Sequence, residues 1–354
     1  HTTIVDVSPS PAEPGLIWVS TDDGRVHVTS DGGATWSDVG ANIEGVPPAT
    51  WIPDVEPSRH DADVAYVVFD DHRRGNWETY AYRTADRGES WRRLGTEEVF
   101  GFAHDLAEDP EAPELLFLGT EFGVWYSLDG GEAWTRWTSN GLPPAPVREA
   151  VVHPRDGDLV VGTHGRGAWV VDDVRPLRET AADPTIAERD VHLFTPPPAY
   201  LHGIAEGIGY RSTGHAMFQG ETRPYGALLS YRVGTDDADG RAELIIRTGE
   251  GDDVRRLSGP SEPGVHRVVW NLRTSEDARP PLAPGAEVLP GSYEVEVVVG
   301  DAVSVGRVEV RPDPRGDVAR GDRVAKLEAL ATADAYRDAV SSARSRVRDA
   351  LEGV

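Results

Sequence analysis

Three copies of one eight-residue turn organise this sequence. They are Thr29–Trp36 (T-S-D-G-G-A-T-W), Thr84–Trp91 (T-A-D-R-G-E-S-W) and Ser127–Trp134 (S-L-D-G-G-E-A-W). Each copy opens with Ser or Thr, has Asp at its third and Gly at its fifth position, and closes with Trp. A turn that recurs at intervals of about 40 to 55 residues indicates a propeller or a solenoid.

Each turn stands near the end of a longer unit of four short strands. The strand-like runs are bounded by Gly, Pro and Asp, and the four units begin near Thr2, Trp51, Phe100 and Val147. The fourth unit ends in Asp172-Asp173 instead of a fourth turn. Four-stranded units at this spacing fit propeller blades. We therefore expect about four blades of a larger ring whose earlier blades precede the first residue; a closed four-bladed ring is the alternative.

The second half of the chain has a different pattern. A linker and a long loop over 179–225 separate it from the blades of 1–178. Alternating strands between 226 and 314 then predict a β-sandwich. Residues 315–354 predict an α-helix with one apolar stripe, formed by Leu327, Ala331, Val340, Val347 and Leu351. The predicted fold class is mostly β: a partial β-propeller, a β-sandwich and a C-terminal α-helix.

The composition is strongly acidic and restricts the classes of partner. The chain has 60 Asp and Glu against 35 Lys and Arg, a net charge of -25, and the acidity is spread along its length. This favours the solvated surface of a protein that works in high salt, with a site for cations or a basic partner as the alternative. A net anion repels phosphate, so we expect no nucleic acid partner. No apolar run reaches transmembrane length, so no membrane insertion is expected either.

Cysteine is absent, which excludes disulfides and thiolate metal sites. We expect neither a metal nor a cofactor. The chain starts inside a strand-like segment and without Met, which we interpret as a mature or truncated product. A cell compartment cannot be derived from these residues; an extracellular or cell-surface location in a high-salt environment is the favoured hypothesis.

The turn resembles the Asp-box, or BNR repeat, of sialidases, sortilin-type receptors and xyloglucanase-type glycosidases. The stretches Trp18–Gly24, Leu118–Gly123 and Val161–Trp169 are similar to large microbial BNR-repeat proteins, which are described as sortilin-like or as glycosyl hydrolases. The resemblance implies an Asp-box β-propeller in the first half. In the second half, Gly264–Arg273 followed by Pro290–Val295 resembles the Ig-like domain of flagellar hook-cap proteins.

The resemblance implies that the Asp-box is structural. The carboxylates can accept backbone N–H bonds, the glycines suit a left-handed conformation, and the tryptophans are expected to be buried between blades. The residues concerned are Asp31, Gly33, Trp36, Asp86, Gly88, Trp91, Asp129, Gly131 and Trp134.

Functional residues are expected on the rim opposite the Asp-boxes, where loops between second and third strands and between blades meet. Binding candidates there are His164, Arg166, Asp71, His72, Trp77 and Arg148. Glycosidase chemistry needs two opposed carboxylates, for which Asp22 or Asp23 with Glu121 are candidates. We interpret His104-Asp105 as structural.

These residues leave the function open between classes. The leading hypothesis is a binding or scaffold module without catalysis of its own, which recognises a peptide or a carbohydrate ligand on this rim. The alternative is a glycoside hydrolase whose site is completed by upstream blades or a partner chain. A purely structural cell-surface protein is a third hypothesis.

Overall fold

The computed structural model describes residues 2–138, 141–202, 220–234, 240–275 and 285–352. The chain divides into two compact units, His1–Pro184 and Thr185–Val354. The predicted boundary at 178 lies inside a helix of the first unit, and the predicted linker contributes two short strands to the second. Part of the predicted long loop, 203–219, lies outside the described residues.

The first unit consists of four small antiparallel sheets in which sequential strands are neighbours, as in propeller blades. Blade 1 has strands β1 (Ile4–Pro9), β2 (Ile17–Thr21), β3 (Val26–Thr29) and β4 (Ser37–Asp38); blade 2 has β5 (Trp51–Pro57), β6 (Ala65–Asp70), β7 (Tyr80–Thr84) and β8 (Arg92–Arg93); blade 3 has β9 (Ala103–Glu108), β10 (Leu116–Thr120), β11 (Gly123–Ser127) and β12 (Thr135–Arg136); blade 4 has β13 (Val147–Val152), β14 (Leu159–Thr163) and β15 (Ala168–Val171).

Short helices complete this unit. Helix α1 (Arg175–Ala182) follows the last blade, and 3₁₀ turns lie at Gly40–Asn42 and His72–Arg74; a further 3₁₀ turn, Pro184–Glu188, begins at the boundary and continues into the second unit. Innermost strands pack side by side: β1 on β5, β5 on β9, and β9 on β13. Among the described residues no comparable packing joins β13 back to β1. The four blades therefore form an open arc, as the partial propeller predicted.

The repeated eight-residue turn, which resembles the Asp-box in sequence and for which we keep that name, connects the third and fourth strands in blades 1, 2 and 3. In blade 2, Asp86 accepts hydrogen bonds from the Thr84 hydroxyl (2.7 Å) and from the Ser90 backbone N–H (2.9 Å) and hydroxyl (2.5 Å). Asp31 has the same set of bonds in blade 1. These bonds to the ionised form hold the pKa of both carboxyls below the usual range.

Two of the three box glycines lie where a side chain would not fit. Gly88 has a φ of +86°, and a Cβ built there would lie 2.7 Å from the Val39 side chain, which follows blade 1. Gly131 has a φ of +91°, and a Cβ built there would lie 2.9 Å from the Leu94 side chain, which follows blade 2. The second and third boxes therefore pack on the blade before their own, and glycine is required there both for the left-handed backbone and for this close approach.

Two of the three box tryptophans pack between blades as the sequence predicts, and the third does not. Trp91 packs into the core between blades 1 and 2 and meets Trp18 edge to face at 6.1 Å, and Trp134 packs into the core between blades 2 and 3. Trp36 is 44% exposed. It is not buried between blades because it lies on the side of blade 1 that no blade of this unit covers.

The second unit is a two-sheet sandwich around one apolar core that includes Trp270 and Tyr293. One sheet has the order β16 (Val191–Leu193), β18 (Ala227–Val233) and β21 (Gly264–Trp270). The other has the order β17 (Ala199–Leu201), β23 (Ala302–Pro312), β22 (Gly291–Val299), β19 (Ala242–Arg247) and β20 (Asp253–Gly259).

The C-terminal helix α2 spans Arg320–Glu352. Its predicted apolar stripe is largely on the surface, since Val340, Val347 and Leu351 are exposed. No helix of the described ranges combines the length and apolar character needed to span a bilayer.

Candidate functional site

The innermost strands of the four blades line a cleft of about 330 Å³. Each of these strands contributes at least one acid to the lining, and Asp6, Asp54, Asp105 and Glu149 occupy matching positions of the four strands. Three of them also connect the blades, and we call Asp6, Asp54 and Asp105 the aspartate ladder. Asp6 accepts the backbone N–H of Val55 (3.3 Å), Asp54 that of Leu106 (3.0 Å), and Asp105 that of Ala150 (2.8 Å).

Burial dominates the protonation of these acids. It raises the pKa of Asp54 well above the usual value, and the nearby Asp105 carboxyl raises it further. Burial likewise raises the pKa of Asp105 well above its usual value. The pKa of Glu56, two residues after Asp54, is raised to about 7, chiefly by burial, with the Arg59 charge opposing the shift. Burial therefore favours the protonated form of three carboxyl groups in the cleft, and Glu56 is the one whose pKa lies near neutral pH.

A chain of contacting side chains crosses blades 2, 3 and 4 at one edge of this cleft; we call it the rim cluster (Asp70, His72, Phe102, His104, Glu121 and Arg148). Asp70 bonds His72 Nδ1 at 2.5 Å, and the His72 ring stacks on Phe102 at 4.3 Å between centroids. Phe102 meets the His104 ring edge to face at 4.9 Å. The cluster thus joins the loop after β6 to strands β9 and β13.

His104 has a defined tautomer in this arrangement. A guanidinium can only donate, so the 2.9 Å contact from Arg148 makes His104 Nδ1 an acceptor. His104 Nε2 then carries the proton and donates to the Glu121 carboxylate at 3.0 Å. Burial lowers the pKa of His104, and the Arg148 charge also disfavours the imidazolium. His104 is therefore a neutral, buried link that positions the half-buried carboxylate of Glu121 and the exposed guanidinium of Arg148.

Aromatic side chains border the rim cluster and face solvent. Trp77 is 57% exposed, and its ring meets Phe102 at 5.4 Å. Phe100 is 62% exposed and stacks on Phe122 at 4.6 Å. Exposed aromatic rings held by stacking offer preformed contact area to a ligand.

The structure brings together four of the predicted site residues. His72, Trp77, Glu121 and Arg148 all belong to the rim cluster or touch it. Asp71 lies beside them, but its carboxylate pairs with Arg74 and accepts from the Asn76 amide (3.1 Å), which fixes the loop.

The remaining candidates stand apart from this cluster. Asp22 accepts the Thr3 backbone N–H (2.8 Å), and Asp23 accepts the hydroxyls of Thr21 (2.7 Å) and Thr2 (2.9 Å). The Thr21 bond in particular lowers the pKa of Asp23. No contact among the described residues joins either aspartate to Glu121. His164 and Arg166 lie exposed in the loop after β14, outside the rim cluster.

Sequence reasoning missed Phe102 and Glu56 as site residues and treated His104 as structural. One signal was available, because the three ladder aspartates and Glu149 fall at matching positions of the first strands of the four blades. The alternation of apolar and polar residues along a strand does not by itself predict an acid that lines a cleft at these positions. Within the described ranges, no group of three or more His, Asp or Glu side chains is arranged to hold a metal ion.

Comparison with solved structures finds β-propeller proteins. YCF48 bound to D1 peptide is 16% identical over 48% of this chain and 50% of its own, with a TM-score of 0.37. The xyloglucanase of family GH74 from Xanthomonas campestris is 17% identical over 87% of this chain and 45% of its own, with a TM-score of 0.38. The GH74 enzyme from Niastella koreensis is 13% identical over 85% of this chain and 53% of its own, with a TM-score of 0.39.

These likenesses concern the fold alone. The chain spans about half the length of each of these three proteins. Some of the similar propellers are glycoside hydrolases and one was solved with a peptide. No family model matches the sequence, and no curated protein does.

Proposed function

We propose that this chain is a binding module, without catalysis of its own, which recognises a peptide or a glycan on the rim opposite the Asp-boxes. The rim cluster is the observation that supports this function. It combines two charges positioned by a buried histidine with exposed aromatic rings that are already held by stacking. A site whose side chains are ordered before binding loses little conformational entropy when the ligand arrives.

Of the two ligand classes, the excess of acidic groups in the cleft favours a peptide. Six carboxyl groups line it, those of Asp6, Asp54, Glu56, Asp105, Glu108 and Glu149, against the guanidinium groups of Arg59 and Arg148. A lysine or arginine side chain of a bound peptide would be attracted into this cleft, while its neighbours stack on Trp77 and Phe100. A neutral glycan would use the aromatic rings but not the excess of carboxylates.

The test is a binding screen with the full chain against a peptide library and a glycan array, followed by titration of the best hits. We expect Trp77→Ala and Arg148→Gln each to weaken binding about tenfold or more, because exposed aromatic and arginine side chains carry most of such interfaces. Tyr336→Ala, which removes an exposed aromatic ring from helix α2, is the matched control and should bind normally. Binding that survives both rim substitutions would place the ligand elsewhere.

The alternative function is a glycoside hydrolase, and the Glu56 carboxyl favours it. A glycosidase needs one carboxylic acid that keeps its proton near neutral pH and a second carboxylate that is ionised. The pKa of Glu56 is raised to about 7 by burial, and further carboxylates line the same cleft. Release of reducing ends from polysaccharides, abolished by Glu56→Gln, would support this alternative; the earlier candidates are covered by Glu121→Gln and Asp23→Asn.

A further inference from the structure

The last residue of the second strand differs in blade 2 from the other three blades. In those three it is a threonine: Thr21, Thr120 and Thr163. Each threonine hydroxyl bonds inside its own loop, to a backbone group three or four residues further along, at 3.0, 3.0 and 2.5 Å in chain order. Strand β6 of blade 2 ends at Asp70 instead. An acid therefore stands where three repeats use a neutral residue to close the loop.

The carboxylate of Asp70 is buried and only half of it is bonded. Its side chain is 0% exposed, and Oδ1 accepts from the His72 ring and from the His72 backbone N–H (3.0 Å). Oδ2 is buried and has no hydrogen-bond partner among the described residues. A buried acceptor without a partner costs stability, and threonine closes the corresponding loop in the other blades. Residues that break a local rule at such a cost are expected at functional sites.

The bond to Asp70 fixes the tautomer of His72. A carboxylate can only accept, so Nδ1 of His72 carries the ring proton and Nε2 is an acceptor. The side chain of His72 is 33% exposed. Because its Nδ1 edge faces a buried carboxylate, the exposed part of the ring lies on the side of Nε2. The ring is held by stacking on Phe102 and lies 6.5 Å from the exposed Trp77 ring, between centroids.

The cations near this acceptor bond or stack elsewhere. Arg74 pairs with Asp71, and the Arg73 guanidinium lies 4.8 Å over the Trp51 ring. The guanidinium of the rim cluster donates to the other histidine. In the part of the chain that the structure describes, no cation is paired with Nε2 of His72. The blade 2 end of the rim cluster thus presents an acceptor that is backed by a buried negative charge.

We propose that Nε2 of His72 accepts a hydrogen bond from an ammonium or guanidinium group of the ligand, and that Asp70 is the positioning residue that orients the ring and balances the charge. This inference rests on the proposed function and names the ligand group that the rim cluster takes: a basic side chain of a peptide. The exposed face of Trp77 attracts the same cation. A neutral hydroxyl group of a glycan could donate to Nε2 but gains neither the charge assistance nor the cation–π contact.

The first test is long-range ¹H–¹⁵N NMR of the histidine rings in the full chain at mildly alkaline pH. The His72 signal is identified by its loss in His72→Phe, which keeps an aromatic ring against Phe102. We expect the proton on Nδ1 in His72 and on Nε2 in His104. In Asp70→Asn the amide can donate to Nδ1, so the proton of His72 should move to Nε2. A parent chain in which Nε2 of His72 carries the proton overturns the proposal.

The second test is titration of the full chain with acetyl-Gly-Lys-Gly-amide and with the same peptide acetylated on the lysine amine. We expect the Nε2 resonance of His72 to move with the free amine only. The parent chain should prefer the free amine about tenfold, as one charge-assisted hydrogen bond provides. His72→Phe and Asp70→Asn should both lose this preference. A preference that survives in either variant, or no movement of the Nε2 resonance, overturns the proposal.

The matched control is His153→Phe, which removes a 45% exposed histidine beside Asp156 in blade 4 and should keep the preference. Asp70→Thr gives blade 2 the residue of the other blades and should lose the preference without lowering the melting temperature. A lower melting temperature with an unchanged preference would make Asp70 structural. Library peptides that lose affinity in Trp77→Ala but not in His72→Phe would leave the proposed function standing and overturn this inference alone.

Discussion

Glu56 illustrates at the scale of a residue how the fold changes the chemistry of a side chain. The sequence of strand β5, Trp51–Pro57, places Glu56 on an innermost strand. The pKa of an exposed Glu would be near 4.5. Burial in the cleft raises its pKa to about 7. The pKa of Glu56 is higher in the folded than in the unfolded protein. Its contribution to the free energy of unfolding is therefore most favourable below about pH 4.5 and is lost as the pH rises through 7.

We therefore expect Glu56→Gln to stabilise the protein at alkaline pH. The substitution removes a charge that is costly to bury, and the gain at pH 8 should be on the order of 3 kcal/mol. At pH 4 both proteins should unfold at the same denaturant concentration. Denaturant unfolding of the two proteins between pH 4 and pH 8 measures this. Glu98→Gln, at an exposed position, is the control, and an equal gain at every pH would contradict the explanation.

At the scale of elements, Glu108 connects two blades, because its side chain on strand β9 accepts hydrogen bonds from blade 2. Its buried carboxylate accepts from the Ser58 hydroxyl (2.8 Å), the Arg59 backbone N–H (2.8 Å) and the Tyr66 hydroxyl (3.1 Å). The charge of Glu108 and, above all, burial raise the pKa of Tyr66. Three donors from one blade therefore converge on one acid of the next.

Glu108→Ala should destabilise the first unit by about 3 kcal/mol, because three buried donors lose their acceptor. Tyr66→Phe removes a single donor and should cost about 1 kcal/mol. Glu114→Ala, on the exposed turn after β9, should change stability by less than about 0.5 kcal/mol. Urea unfolding followed by tryptophan fluorescence measures all three. If Glu108→Ala and Glu114→Ala have equal effects, the acid does not connect the blades.

Charge is the property that belongs to the whole molecule. A net charge of -25 produces self-repulsion that no individual contact describes. Salt shortens the range of this repulsion, so we expect the melting temperature to rise between about 0.1 M and about 1 M KCl. Sucrose at matched osmolality is the control, because it acts by exclusion and not by screening. A melting temperature that does not respond to KCl would contradict a protein suited to high salt.

Local sequence determined the repeat and the fold class of this protein. The Asp-box turns, the short strands between Gly and Pro, and the late amphipathic segment are local patterns, and each is expressed within a few residues of chain. They predicted an open propeller, a sandwich and a helix. Four residues of the rim cluster or its border were also predicted, because blade register assigns loops to one rim.

Tertiary structure alone decided which of those residues touch and which are buried. His104 links Glu121 to Arg148 only because strands β9 and β13 of two neighbouring blades pack side by side. The raised pKa of Glu56 likewise depends on burial by strands that are distant in sequence. The same holds for the tryptophans of the three turns: the turns share one sequence pattern, yet Trp36 is exposed while Trp91 and Trp134 pack between blades. Burial depends on what lies across the interface, and a repeated local motif carries no information about whether a neighbour is there.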